Sequence, residues 1–246
     1  MAFSLYSRIP VPAAQWNEKS MRYCICFLPA VGAVIGLAQA VLFSGLTRFA
    51  FGPVFRGALL CVCPVLLSGG IHVDGFLDTC DAIHSYGSRE KRLEILKDPH
   101  VGAFAVVGGI VYFALSFAVW SEAQEREIPA LCLVFLLSRA MSAFAAVVFP
   151  KAKKDGMLVE ETNPAVKGTA AAMAAVTAAA GAAMLWLDPF PAAAGLVAAL
   201  LTLGYYRHLA ISAFGGTTGD LSGWFTQMCE LTAAAAIVVT AVILRT

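Results

Sequence analysis

The chain has 246 residues, 59% hydrophobic and 13% charged, with a formal net charge of +1 and a mean hydropathy of +0.77. Soluble domains carry about 25% charged residues, so too few polar side chains remain here to cover a water-facing surface, and the near-neutral balance offers no bulk attraction to polyanions. A soluble globular enzyme, a disordered chain and a nucleic-acid-binding protein are excluded, and an all-α polytopic integral membrane protein is expected.

The first twenty residues lack the unbroken apolar stretch of a signal peptide, and Arg8, Lys19 and Arg22 precede the first long apolar run; the N-terminus is expected to be retained. A spanning helix needs about 20 apolar residues. Seven stretches qualify: 24–47, 54–72, 100–121, 129–149, 168–187, 190–211 and 226–244. Gly32 and Gly36 make a G-x-x-x-G pair in the first, suited to close helix contact. The fifth is alanine-rich and expected to pack against protein more than lipid. The Asp188-Pro189 link makes the fifth and sixth a helical hairpin. The whole chain, 1–246, reads as a single transmembrane catalytic domain.

Basic residues are retained on the cytoplasmic side. Seven spans place Arg8, Lys19, Arg22, Arg89, Lys91, Arg92, Lys97, Lys151, Lys153, Lys154, Lys167 and Arg207 on the side of the N-terminus, against Arg48, Arg56, Arg126 and Arg245 on the other. The N-terminus is therefore expected in the cytoplasm and the C-terminus outside. The cysteines Cys24, Cys26, Cys61, Cys63, Cys80, Cys132 and Cys229 contain no C-x-x-C pair and read as free, apolar thiols.

With charge so scarce, the acids stand out. His72-Val73-Asp74-Gly75-Phe76-Leu77-Asp78-Thr79-Cys80-Asp81 follows the second stretch, and Asp74, Asp78 and Asp81 share one helical face. Like charges so placed repel. Either water solvates them or a hard divalent cation such as Mg²⁺ relieves them and leaves room for phosphate oxygens. A second group, Gly215-Gly216-Thr217-Thr218-Gly219-Asp220, continues to Gln227 and Glu230 on one face. The glycines let backbone N–H groups approach an anion at a helix start, or make a flexible loop. Glu230 and Arg139 lie within apolar spans, where an ionisable group marks function or demands a partner; Arg139 is expected to meet a carboxylate or phosphate. Both acidic groups fall on the cytoplasmic side and can meet at one mouth. His72 is a candidate metal ligand, acid or base. Carboxylates, magnesium and nearby bases suit phosphoryl transfer from a diphosphate-linked donor to an alcohol. An ion-coupled transporter would share several of these features.

The stretch His72-x-Asp74-Gly75-x-x-Asp78-Thr79-x-Asp81-Ala82 resembles the central motif of the cobalamin synthase (adenosylcobinamide-GDP ribazoletransferase) family. Ser7-Arg8-Ile9-Pro10-Val11-Pro12, Pro29-x-x-Gly32-x-x-x-Gly36, Arg92-Leu93-Glu94-Ile95-Leu96-Lys97-Asp98 with Val101-Gly102, Ser138-Arg139 and Thr218-Gly219-Asp220-x-x-Gly223 agree in order along the whole chain. Gln227 departs from the acid expected there in some relatives. A CDP-alcohol phosphotransferase, the nearest rival, needs Asp-Gly-x-x-Ala-Arg, and the arginine is missing after Asp74-Gly75.

The resemblance implies a late step of coenzyme B12 assembly in the bacterial or archaeal cell (inner) membrane, with the active site facing the cytoplasm. The 5′-hydroxyl of α-ribazole, or α-ribazole 5′-phosphate, would attack adenosylcobinamide-GDP and release GMP, with Mg²⁺ required. Asp74, Asp78 and Asp81 are assigned to catalysis and Mg²⁺, Asp220 and Glu230 to the metal's second side or to the base, and His72 to a candidate base. Arg139, Lys97, Gly219 and Asp220 are assigned to substrate. A lipid bilayer is the implied surrounding, with a homo-oligomer or association with other B12-assembly enzymes compatible with it.

Overall fold

The computed structural model describes residues 1–11, 21, 23–152, 157–163 and 165–246, without the side chains of Met157 and Glu161. Pro12, Lys19, Arg22, Lys153 and Lys154 lie outside the described residues. The helices run, in order, α1 (Ala2–Tyr6), α2 (Leu28–Arg48, entered through a 3-10 turn at Ile25–Phe27), α3 (Pro53–Ser68), α4 (Ile71–His84), α5 (Arg89–Ile95), α6 (Ala103–Glu122) and α7 (Ile128–Val148). They continue with α8 (Met157–Thr162), α9 (Thr169–Leu187), α10 (Pro189–Leu209, prolonged by a π turn at Ala210–Phe214) and α11 (Gly219–Arg245). Among the described residues six helices are long and apolar enough to cross a membrane, and the bent pair α3–α4 raises the number to seven. The expected all-α polytopic architecture is what the chain adopts.

Start signals explain where the helices begin. Proline opens α3, α7 and α10 within their first two residues, positions where its missing N–H costs nothing. The Thr218 hydroxyl accepts from Leu221 N at 3.2 Å and caps α11. This cap starts the last helix seven residues before the stretch that hydropathy marks as 226–244, because the first two turns, Gly219–Phe225, carry Asp220, Ser222 and two glycines.

The second stretch departs from expectation more sharply. It ends at Ser68, not at residue 72, and the chain turns by 97° into α4. Gly69 and Gly70 have φ of 71° and 82°, a left-handed conformation that glycine reaches without a Cβ penalty. The Arg8 side chain packs against Gly69, and the Arg8 amide donates to Leu67 O at 2.8 Å, which ties the N-terminal segment to the bend.

Helix α7 is the hub. It packs against α2, α9 and α11, and 67% of its apolar window is buried. The Gly32/Gly36 pair makes the expected close contact, since a Cβ at either position would strike the α7 backbone at Phe135 or Cys132. The expectation for the alanine-rich stretch fails: only 22% of the α9 window is buried. Its one-carbon side chains pack against α7 and α10 on one side and leave the rest of the helix circumference uncovered.

Candidate active site

The bend sets α4 across the packed ends of α6 and α11. Two close approaches fix it there. A Cβ on Gly75 would come within 2.7 Å of the Asp220 backbone, and one on Gly223 within 2.9 Å of His72 O. Only glycine admits this separation, and it brings the acidic face of α4 beside the first turn of α11. Asp74, Asp81 and Asp220 all lie within electrostatic reach of Asp78. The two acidic groups therefore meet, as their placement on one side of the membrane anticipates.

The loop before α11 is built as a rigid approach. Thr217 N donates to Pro150 O at 2.7 Å, and Ala152 N donates to Thr217 O at 3.0 Å, forming an isolated parallel bridge of Lys151 with Thr217. Arg89 donates to Ala152 O at 3.3 Å and Arg92 to Ala213 O at 3.4 Å, so α5 straps the loop from outside. Lys151 Nζ donates to Ala146 O, and partial burial lowers its pKa from the ordinary lysine value.

A cavity of about 310 Å³ opens between these parts. His72, Asp74, Thr217, Thr218, Gly219 and Asp220 supply its polar lining, and the backbone N–H groups at the start of α11 point where an anion is favoured. His72 is 7% exposed. Its Nδ1 is buried with no hydrogen-bond partner, and its ring lies parallel to that of Tyr6 with centroids 6.5 Å apart.

The other assigned residues part company with this cavity. Both oxygens of Asp81 are engaged: Gly102 N donates to Oδ2 at 2.7 Å and Ala105 N to Oδ1 at 2.8 Å. Asp81 thus caps α6, a role that its expected assignment to metal did not include. Glu230 pairs with Arg139 and accepts from Ser138 Oγ at 3.0 Å. It lies ten residues beyond Asp220, about 15 Å along the helix, too far to share a metal ion with it. Arg139 meets a carboxylate, one of its two expected partners, and is not a substrate contact of this cavity. Gln227 accepts from the Tyr112 hydroxyl at 2.6 Å in the same interior layer. Lys97 is exposed and does not line the cavity.

The sequence profile of cobalamin-5-phosphate synthase matches residues 1–238, which include both acidic groups. The chain belongs to the cobalamin-5-phosphate synthase family. A protein of Lachnoclostridium phytofermentans named adenosylcobinamide-GDP ribazoletransferase is 44% identical over 97% of this chain and 92% of its own. Proteins of the same name from Geobacillus kaustophilus (32% identical, 91% and 88% covered) and Azorhizobium caulinodans (31%, 94% and 90%) are similar end to end. No solved structure matches the chain.

In this cobalamin-5-phosphate synthase family member the cavity also holds residues that carry no signal in the sequence. Tyr6 sits on a helix of five residues, too short for periodicity to register. Leu158 and Val159 belong to α8, and Ser142 and Ala146 to the inner face of α7; in the sequence they are indistinguishable from other apolar or small positions. Arg89 and Arg92 read as part of the cytoplasmic positive charge, and their role as straps depends on contacts over 63 and 121 residues of chain.

Proposed function

We propose that the chain joins adenosylcobinamide-GDP to α-ribazole, or to α-ribazole 5′-phosphate, giving adenosylcobalamin, or its 5′-phosphate, and GMP. The observation that carries this reading is the convergence of Asp74 and Asp220, from opposite halves of the chain, on one cavity at the start of a helix, in a chain matched along its length by the family. A free ribose hydroxyl of the acceptor forms the new bond to the cobinamide-linked phosphorus; it is not the 5′-hydroxyl, which is already esterified in α-ribazole 5′-phosphate and stays so in the 5′-phosphate product. The bond from that phosphorus to the bridging oxygen breaks, GMP leaves with the electron pair, and the hydroxyl proton passes to a base. His72 is our candidate for that base: the residue lines the cavity and its buried Nδ1 has no hydrogen-bond partner.

Asp74 and Asp220, the oxygen donors that line the cavity, would hold Mg²⁺ as two carboxylates. Among the described residues no three His, Cys, Asp or Glu side chains form a closed ligand set, and Mg²⁺ is ordinarily bound by one or two carboxylates with water and substrate phosphates filling the rest. When bound, the ion supplies charge neutralisation for the diphosphate. The α11 N-terminus adds fixed backbone donors for the same charge, and Thr218 holds the first turn in place. We place this site on the cytoplasmic face of a cell membrane, on the distribution of basic residues.

The test is an assay of the purified protein in detergent with adenosylcobinamide-GDP, α-ribazole and Mg²⁺. Stoichiometric GMP and a complete corrinoid are expected; absence of both from folded protein overturns the reading.

A further inference from the structure

The cavity has two chemically different sides. Helix α4 and the start of α11 supply the polar one. The apolar side comes from other parts of the chain: Tyr6, Ile25, Leu28, Ala146, Leu158 and Val159. Tyr6, Ile25, Leu28 and Leu158 belong to one buried apolar cluster, so this side is a piece of the protein core left facing an opening. The Tyr6 ring, parallel to the His72 imidazole, stands where the two sides meet.

We infer that the apolar side is the subsite for the base of the acceptor nucleoside, a flat bicyclic aromatic with a single hydrogen-bonding atom, as the benzimidazole of α-ribazole is. The inference rests on the reaction proposed above and assigns which substrate enters the cavity. Three nucleoside- or ring-sized groups compete for it, and size and polarity separate them. The cavity of about 310 Å³ is at the small end of ligand sites, which run from about 300 to 1,000 Å³; a corrin with its amide side chains and adenosyl ligand exceeds it several-fold and stays outside. Guanine would fit by size. It carries ring and amino N–H donors and a carbonyl acceptor, more polar groups than the hydroxyls of Tyr6 and Ser142 can pair among Ile25, Leu28, Ala146, Leu158 and Val159, so burial would leave some of them unpaired at a cost. Benzimidazole has one free ring nitrogen, an acceptor, and Ser142 and Tyr6 bring hydroxyls to the cavity lining. Its apolar edge gains by leaving water. A ribose attached to a base so placed points toward His72 and Asp74, where the hydroxyl must react. The diphosphate and its guanosine then meet the polar side, at the start of α11.

Two measurements on the full-length protein decide this. Val159→Trp, at a partly exposed position of α8, narrows the apolar side. We expect the KM for α-ribazole to rise at least tenfold while the KM for adenosylcobinamide-GDP stays within twofold, the latter also reporting that the variant is folded. A rise confined to the donor KM, or no change in either, overturns the inference. Independently of any variant, radiolabelled 5,6-dimethylbenzimidazole is expected to bind the wild-type protein and be displaced by α-ribazole but not by guanosine; displacement by guanosine, or no binding, overturns it. The binding measurement needs no turnover. Base binding without GMP release would sink the reaction and keep the subsite, and GMP release without base binding would do the reverse.

Discussion

The guanidinium of Arg139 and the carboxylate of Glu230 meet in the interior of the bundle, one on α7 and the other on α11, with side chains only 1% and 7% exposed. Arg139 also donates to Phe135 O at 3.1 Å, so the pair is anchored on its own helix before it crosses to the next. Breaking a buried pair by removing one partner leaves an uncompensated charge, at about 3–5 kcal/mol, whereas replacing both with apolar groups is often neutral. Glu230→Leu and Arg139→Met are each expected to lower thermal stability in detergent strongly, and the double variant to recover most of the loss. Additive losses in the double variant would mean that the two charges are not coupled.

Asp81 and Asp220 are expected to separate a structural from a catalytic carboxylate. Removal of a helix cap costs about 0.5–2 kcal/mol, so Asp81→Ala should lower the melting temperature yet leave the Mg²⁺ concentration for half-maximal turnover within twofold. Asp74→Asn and Asp220→Asn should instead abolish turnover or raise that concentration more than tenfold, with little effect on melting. A Mg²⁺ titration of GMP release for the three variants checks this; a shifted Mg²⁺ response in Asp81→Ala would return that residue to the metal.

Gly75 sets the spacing between α4 and α11. A methyl at this position meets Asp220 backbone atoms at 2.7 Å, and such overpacking costs about 1–3 kcal/mol. Gly75→Ala should therefore reduce kcat by more than tenfold with every acidic side chain intact, because the two acidic groups move apart. Unchanged kcat in this variant would show that their spacing does not matter to turnover.

Membrane orientation is testable without any substrate. Ser88 and Gln124 are both exposed at opposite ends of the bundle. In a cysteine-free background, Ser88→Cys is expected to react with a membrane-impermeant maleimide only in inside-out vesicles, and Gln124→Cys only in right-side-out ones. The opposite pattern would put the acidic cavity outside the cell.

These predictions also mark which features were legible from residue order alone. Apolar runs located the spanning helices to within a few residues, the start of α11 excepted, because bilayer thickness imposes a length that composition can report. Asp74, Asp78 and Asp220 were legible because charge is rare in this chain and their spacing is helical. The limits lie where a residue's role depends on a partner distant in sequence. Asp81 looks like its neighbours on α4 and differs only through amides 21 and 24 residues away. Glu230 shares a helical face with Asp220, but Arg139 claims it across 91 residues. Hydropathy could not detect the Gly69–Gly70 turn, since a positive φ leaves no trace in an average of apolar character, and so His72 was counted in the span rather than on α4.

That turn has a further effect on the surrounding lipid. A span of 16 residues rises about 24 Å, short of the roughly 30 Å hydrocarbon core of an average bilayer. The shortfall is a hydrophobic mismatch, which local thinning of the bilayer beside the helix that bears Asp74 and Asp78 would relieve. The bilayer itself becomes a variable of the enzyme: turnover in vesicles should be highest with short acyl chains and fall as the chains lengthen.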